Sequence, residues 1–287
     1  MAIQDGVDLQ PGACITPQST PQQMAKPEDA PEQVTHLIHA YWIRTTQFQS
    51  SPVDTTLLKQ GVFLQVLTSI EALVFLLETD TRAGLLVMDQ ATATSAPMRD
   101  LDTGTLGVRL KAMTMIVLAD DPTEEEMRAC LRAGVIDMFP TQFAMRYLEL
   151  ICKRYFNDQG EPIGDDIQKV SAIDSERSMA RAEIDVQFYG TLLRDFFDEL
   201  PARKKNIEED WDPNPQQIKQ HIHSLKGLAM TFEIHQLAKI AVRIEAATRE
   251  NSLDAVLLLQ LEAEIQSAGF QILRWLQLHN FVAKVSV

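Results

Sequence analysis

Cysteine is scarce in this chain: Cys14, Cys130 and Cys152 are the only three among 287 residues. So odd and scattered a set excludes a disulfide framework and fits a reducing compartment. Long apolar runs are missing too. None approaches the ~20 residues that span a bilayer, so no transmembrane helix or membrane insertion is expected. The N-terminus lacks a basic stretch followed by an apolar one, so a signal peptide is not expected. Lys and Arg number 26 against 40 Asp and Glu, and a net charge of −14 argues against nucleic acid or an anionic membrane as main partner. No Cys/His spacing suggests zinc or another metal site, and no glycine-rich nucleotide loop occurs. Hydrophobic residues, in contrast, make up 45% of the chain, enough for the cores of two ordinary domains. Together these features lead us to expect a soluble, cytoplasmic protein.

Residues 1–33 are rich in Pro, Gln, Thr and Asp and read as a disordered tail. A periodic pattern follows over 34–157. "VTHLIHAYWI", "FLQVLTS", "AGLLVMD", "MTMIVLAD" and "VIDMFP" read as strands. "VDTTLLKQGV", "SIEALVFLLETD", "DLDTGTLGVRLKA", "PTEEEMRACLRAG" and "FAMRYLELICKRYF" read as the helices between and after them. This alternation predicts an α/β domain with a flavodoxin-like parallel sheet. Its functional crevice is expected at the carboxyl ends of the strands. Residues 158–182, opening on "NDQGEPIGDD", read as a linker. Residues 183–287 hold four segments with helical period, which predicts an all-α, antiparallel four-helix bundle.

The second of those helical segments carries the chemistry. Ile218, Ile222, Leu225, Ala229 and Phe232 form one apolar stripe. At ~100° per residue His223 lies far round from that stripe, sharing its side with Lys219, Lys226 and Met230. Gly227 sits one turn on, although glycine inside a helix costs ~1 kcal/mol relative to alanine. A lone surface histidine is most often incidental; this composite is more specific. "HSLKGLAMTF" resembles the phosphorylation-site helix of histidine phosphotransfer (HPt) domains, above all the chemotaxis-kinase type, whose motif reads H-S-[IL]-K-G-x-A-x-T-F. His223, Ser224, Leu225, Lys226, Gly227, Ala229, Thr231 and Phe232 carry the match. The family usually has Gly after the Phe; here it is Glu233.

The resemblance implies a second residue. The family places a Glu on the next antiparallel helix, against the ring nitrogen that is not phosphorylated, and the corresponding position is Glu245. Spacing agrees: with a turn near Ile234, His223 and Glu245 lie equally far along the two arms. A solvated helix acid is the alternative reading. His223 is then the expected phosphoacceptor, Glu245 the group that orients its imidazole, and Lys226, with Lys219, the charge for the incoming phosphoryl group. Gly227 and Met230, with Lys219, are the expected docking positions. His221 and His223 point to different helix faces and make a poor metal pair. No cofactor is expected; Mg²⁺ belongs to the partner.

The α/β segment resembles a response-regulator receiver in element order, with Asp89 where that family keeps its phosphoacceptor. A receiver also needs an acidic pair after the first strand to hold Mg²⁺. Arg44, Thr45 and Thr46 stand there, and no Asp or Glu occurs from Val34 to Val53. The family's Ser/Thr and Lys correspond to Ala119 and Thr141. Asp89 is therefore expected to be vestigial, bonding nearby backbone amides. Asp120 and Asp121 follow the wrong strand and read as a loop. Two functions stay open. One is a phosphocarrier exchanging phosphate on His223 with receiver domains of response regulators or hybrid kinases, or working beside a histidine kinase. The other is a non-catalytic adaptor that docks or sequesters those partners.

Overall fold

A computed structural model describes residues 38–43, 61–79, 84–101, 104–157, 159–163, 173–212 and 214–281. The expected tail, Cys14, the residues Arg44–Thr46 and most of the expected first helix lie outside them. Five strands alternate with helices in the first half: β1 (Ile38–Ile43), β2 (Val62–Leu67), α1 (Ile70–Thr79), β3 (Leu85–Asp89), α2 (Gln90–Ala93), α3 (Ala96–Asp100), α4 (Gly104–Lys111), β4 (Thr114–Leu118), α5 (Glu124–Arg132), β5 (Asp137–Phe139) and α6 (Thr141–Tyr155). All strand pairs are parallel, in the order β2-β1-β3-β4-β5, the order that flavodoxin-like folds use.

Alternation builds the two faces of this sheet. Tyr41, Ile43, Leu86, Met88 and Val117 face one core, with α1, α4 and α5. Ala40, Trp42, Leu85, Val87 and Ile116 face the other, with α6. Both faces are covered, so the strands read as continuous apolar runs. Helix α5 starts on a capping box, Thr123 with Glu126, and three acids occupy its first turn, where the helix dipole favours them. It stops before Gly134, whose φ is +84°.

The second half is helical: α7 (Ser175–Ala182), α8 (Val186–Asp210), α9 (Pro215–Thr231), α10 (His235–Arg249) and α11 (Ala255–Leu278). The stripe read on α9 is buried throughout. It shares one apolar core with Leu193, Phe196 and Leu200 of α8, Leu237, Ile240 and Ile244 of α10, and Leu261, Ile265 and Ile272 of α11.

Part of the span 158–182 carries structure of its own. A turn joins Phe156 to Pro162 by an antiparallel bridge, and α7 folds against the end of α9. Its sequence, "SERSMARA", is short and carries Met179 as its one large apolar side chain, packed on the helical core; polar bonds to backbone carbonyls add to the hold. Ser178 Oγ donates to Thr231 O at 2.7 Å, and Arg181 donates to Met230 O at 2.8 Å and Thr231 O at 3.1 Å.

The α/β and helical parts pack on each other, and Val34–Val287 forms one compact unit. The joint is α11. Leu259 and Ala263 enter the core on one face of the sheet, and Phe270 enters the core on the other. Gln271 Nε2 donates to Ile136 O at 2.7 Å and Gln266 Nε2 to Ala119 O at 2.9 Å. At the centre of the joint Asp137 is sealed from solvent. Its Oδ2 accepts from Ser267 Oγ at 2.8 Å, from Tyr155 OH, and from Arg154 at 3.3 Å. Arg154 also pairs with Glu264. Burial works against the charge of Arg154, yet Glu264, Tyr155 and Asp137 together outweigh it and the guanidinium pKa rises. On the flank Arg194 of α8 holds Glu124 of α5 through two bonds of 2.8 Å.

Candidate functional site

Helix α9 begins at Asn214, whose side chain caps Gln217 N at 3.4 Å, with Pro215 in the first turn. Pro at that position fits a helix start, since its missing N–H is not needed there. The helix then buries its apolar stripe and leaves His223 outside, 74% exposed at the side chain.

The end of α9 makes a tight reversal. Ile234 N donates to Ala229 O at 2.7 Å, and Glu233 N to Met230 O at 3.3 Å. This is the Schellman pattern, in which the residue after the cap takes a left-handed conformation, usually as Gly. Glu233 has φ +54° there. A side chain in that region costs about 1–2 kcal/mol. The carboxylate is offset by Arg181 at 2.6 Å, donated from α7. The departure from the family motif at Glu233 is thus matched by the extra helix.

The reversal brings α10 back alongside α9 and sets Glu245 against the imidazole. His223 Nδ1 and Glu245 Oε1 are 3.0 Å apart. Lys226 Nζ donates to Glu245 Oε2 at 2.5 Å. That bond, helped by the one to His223 and opposed by partial burial, holds the Glu245 carboxyl below the usual carboxylate range. An ionised carboxylate only accepts, so Nδ1 is the donor, and in the neutral imidazole this leaves the lone pair on Nε2. A nitrogen with a free lone pair can act as a nucleophile.

The surroundings of His223 are open. A Cβ built on Gly227 would meet nothing within 4 Å, so internal packing does not require glycine there. Met230 is 53% exposed, unusual for a large apolar side chain on a helix with a full core stripe. Lys219 is exposed one turn before His223. Lys226 was expected to face an incoming anion; it is tied to Glu245, with two of its three ammonium protons left over. Two neighbours escaped the sequence reading. Arg203 of α8 donates to Ser224 Oγ at 3.1 Å, and His221 Nε2 lies 3.0 Å from Asp210 Oδ2. Neither Arg203 nor Asp210 lies near its partner in sequence, and no periodic signal marks them.

The carboxyl end of the sheet is different in kind. Register places Asp89 beside Leu118, and Leu118 beside Phe139, so Asp89, Ala119 and Thr141 gather at one end. Asp89 Oδ1 accepts from Thr92 N at 2.7 Å and caps α2. Asp120 Oδ1 accepts from Thr141 N at 3.0 Å, at the start of α6. Asp121 pairs with Lys204 of α8. A hard cation needs several oxygens converging on one point, and these carboxylates are turned to capping and pairing instead. Among the described residues no group of three or more His, Cys, Asp or Glu could hold a metal ion. The thiols are also unsuited to chemistry, since burial pushes Cys130 up to about 11 and Cys152 to about 12.

No helix among the described residues is long and apolar enough to cross a membrane. Comparison with curated proteins and with solved structures finds no match. Residues 191–269, from within α8 to within α11, match the family model of the Hpt domain. His223, Lys226 and Glu245 all fall inside that span, so this stretch of the chain is similar to the Hpt domain, the histidine-containing phosphotransfer module of two-component signalling.

Proposed function

We propose that His223 is the phosphoacceptor of a phosphorelay protein of the chemotaxis-kinase HPt type, with α8–α11 as its antiparallel four-helix bundle. Hpt domains exchange phosphoryl groups with receiver domains, and the partner here is the aspartyl phosphate of such a receiver, on a response regulator or a hybrid kinase. Nε2 attacks phosphorus, the N–P bond forms, and the P–O bond to the partner's carboxylate breaks. The Nδ1 proton stays where Glu245 holds it, so no proton has to move. Lys219 and the remaining donors of Lys226 meet the phosphoryl oxygens. Gly227 and Met230 form the docking surface beside them. Mg²⁺ is the partner's. The observation that carries this reading is the 3.0 Å contact of Glu245 with Nδ1 on an exposed imidazole.

The α/β half is, in this proposal, a receiver-like domain without phosphoacceptor function, and it works by binding. Capping by Asp89 and the pairing of Asp121 support that part. The test is incubation with a phosphorylated receiver domain, followed by a search for an acid-labile, base-stable label. Label on the wild-type chain and none on His223→Gln is the expected result. Label that survives His223→Gln overturns the assignment. Absence of transfer from every cognate receiver, with binding retained, favours the adaptor, which would use the same docking face without chemistry.

A further inference from the structure

A cleft of about 360 Å³ lies where α6 of the α/β half meets α10 and α11 of the helical half. That volume is in the range of small-molecule sites, ~300–1,000 Å³. His223, Lys226 and Glu245 are not among its lining residues.

Charge sets this cleft apart. The chain carries −14 overall, yet four cations, Lys153, Arg154, Lys239 and Arg243, line the cleft against one carboxylate, Glu264. Two of the four already have anionic partners. Arg154 is shared between Glu264 and Asp137, and Lys153 pairs with Glu149 on its own helix. Arg243 Nη1 donates instead to Gln260 Oε1 at 2.8 Å, and an amide leaves its charge uncompensated. Gln260 lines the cleft as well, so that bond holds the guanidinium at its edge. Among the described residues Lys239 has no hydrogen bond or ion pair. Burial raises the Glu264 carboxyl, and Arg154 and Lys239 pull it back, so the Lys239 ammonium stands near the cleft's acid.

Lys239 and Arg243 are four apart on α10, as Gln260 and Glu264 are on α11, and each pair shares one face of its helix. Like charges at that spacing destabilise a helix; an anion held between them removes the repulsion. Two uncompensated cations match a phosphomonoester, whose charge is about −1.5 to −2 at neutral pH, and the arginine fork suits two of its oxygens. Apolar surface lies beside them. Leu150, Ile151 and Ile240 line the same cleft, and Leu150 is 47% exposed.

We propose that this cleft binds a small phosphomonoester with an apolar body, its phosphate between Lys239 and Arg243 and its body against Leu150.

The test is calorimetric titration of the full-length chain with phenyl phosphate, phenol and inorganic phosphate. Phenyl phosphate is expected to bind saturably and at least tenfold more tightly than either of the others. Lys239→Gln/Arg243→Gln is expected to weaken it at least tenfold. His223→Gln is expected to bind it as the parent does, which separates the cleft from the phosphotransfer site. No binding of phenyl phosphate, equal binding of phenol or inorganic phosphate, or binding that survives the double variant overturns the proposal. The probe comparison is made on the unaltered chain, so it stands even if the double variant folds poorly.

Discussion

The molecule contains two clusters built from the same groups. At one, Lys226 and His223 share the carboxylate of Glu245. At the other, Arg154 is shared between Glu264 and Asp137. Their carboxylates move in opposite directions. Bonding to Lys226 lowers Glu245. Burial raises Glu264, against the pull of Arg154. The difference is water. The first cluster borders solvent, where a cation is worth more than the little hydration it displaces. The second is sealed between α6, β5 and α11, where desolvation rivals the attraction. The exposed cluster suits chemistry; the sealed one suits holding two layers in register.

That contrast can be broken in graded steps. His223→Gln is expected to abolish phosphoryl transfer while leaving thermal unfolding unchanged, since the side chain is exposed; radiolabel transfer and a melting curve check both halves. Arg154→Met should do the reverse. Removing one partner of a buried ionic cluster costs about 3–5 kcal/mol, so the midpoint of denaturant unfolding should fall sharply. Transfer per folded molecule should persist. A variant as stable as the parent would mean that the sealed cluster holds nothing together.

Glu245→Gln is expected to slow transfer by roughly tenfold or more, the factor that about 1.4 kcal/mol of lost orientation gives. Single-turnover kinetics read it, and circular dichroism should not change. A smaller effect concerns acid. Arg194 pulls Glu124 from 4.5 down to about 2, against its partial burial. A carboxyl lowered in the folded state stabilises above its unfolded pKa and loses that contribution as pH falls towards the folded value. The contribution of Glu124 is therefore full above about pH 4.5 and lost towards pH 2. Glu124→Gln should flatten the acid limb of stability in that window. The smallest effect is expected at Asp89. Replacing it by Ala removes a helix cap worth ~1 kcal/mol, and His223 labelling should be untouched. Clear Asp89-dependent labelling by acetyl phosphate with Mg²⁺ would overturn the vestigial assignment.

Much of this was legible before any coordinates. His223 stood off the stripe of α9, and the family resemblance pointed to Glu245, with the equal rise of both arms of a short reversal in agreement. The strands announced themselves as short apolar runs, β3 and β4 leading into acids. The lack of acids between Val34 and Val53 left Asp89 with an expected bond to nearby backbone amides, and Thr92 N makes such a bond. Helix α7 did not announce itself, because Ser178 and Arg181 bind carbonyls that no side-chain pattern marks. The sealed cluster was equally silent: Asp137, Arg154 and Glu264 meet only after the sheet and α11 have packed. The near-continuous apolar character of α11 was the available clue, since a helix apolar on every side has neighbours on every side.

That helix limits how the chain can be reused. Leu259, Ala263 and Phe270 belong to the sheet's cores as much as Leu261 and Ile265 belong to the helical one. A fragment starting at residue 183 would carry a second apolar stripe into water, and the sheet left behind would lose a wall. The helical half is thus not a portable cassette here: α11 serves both halves, and neither keeps its full core without the other.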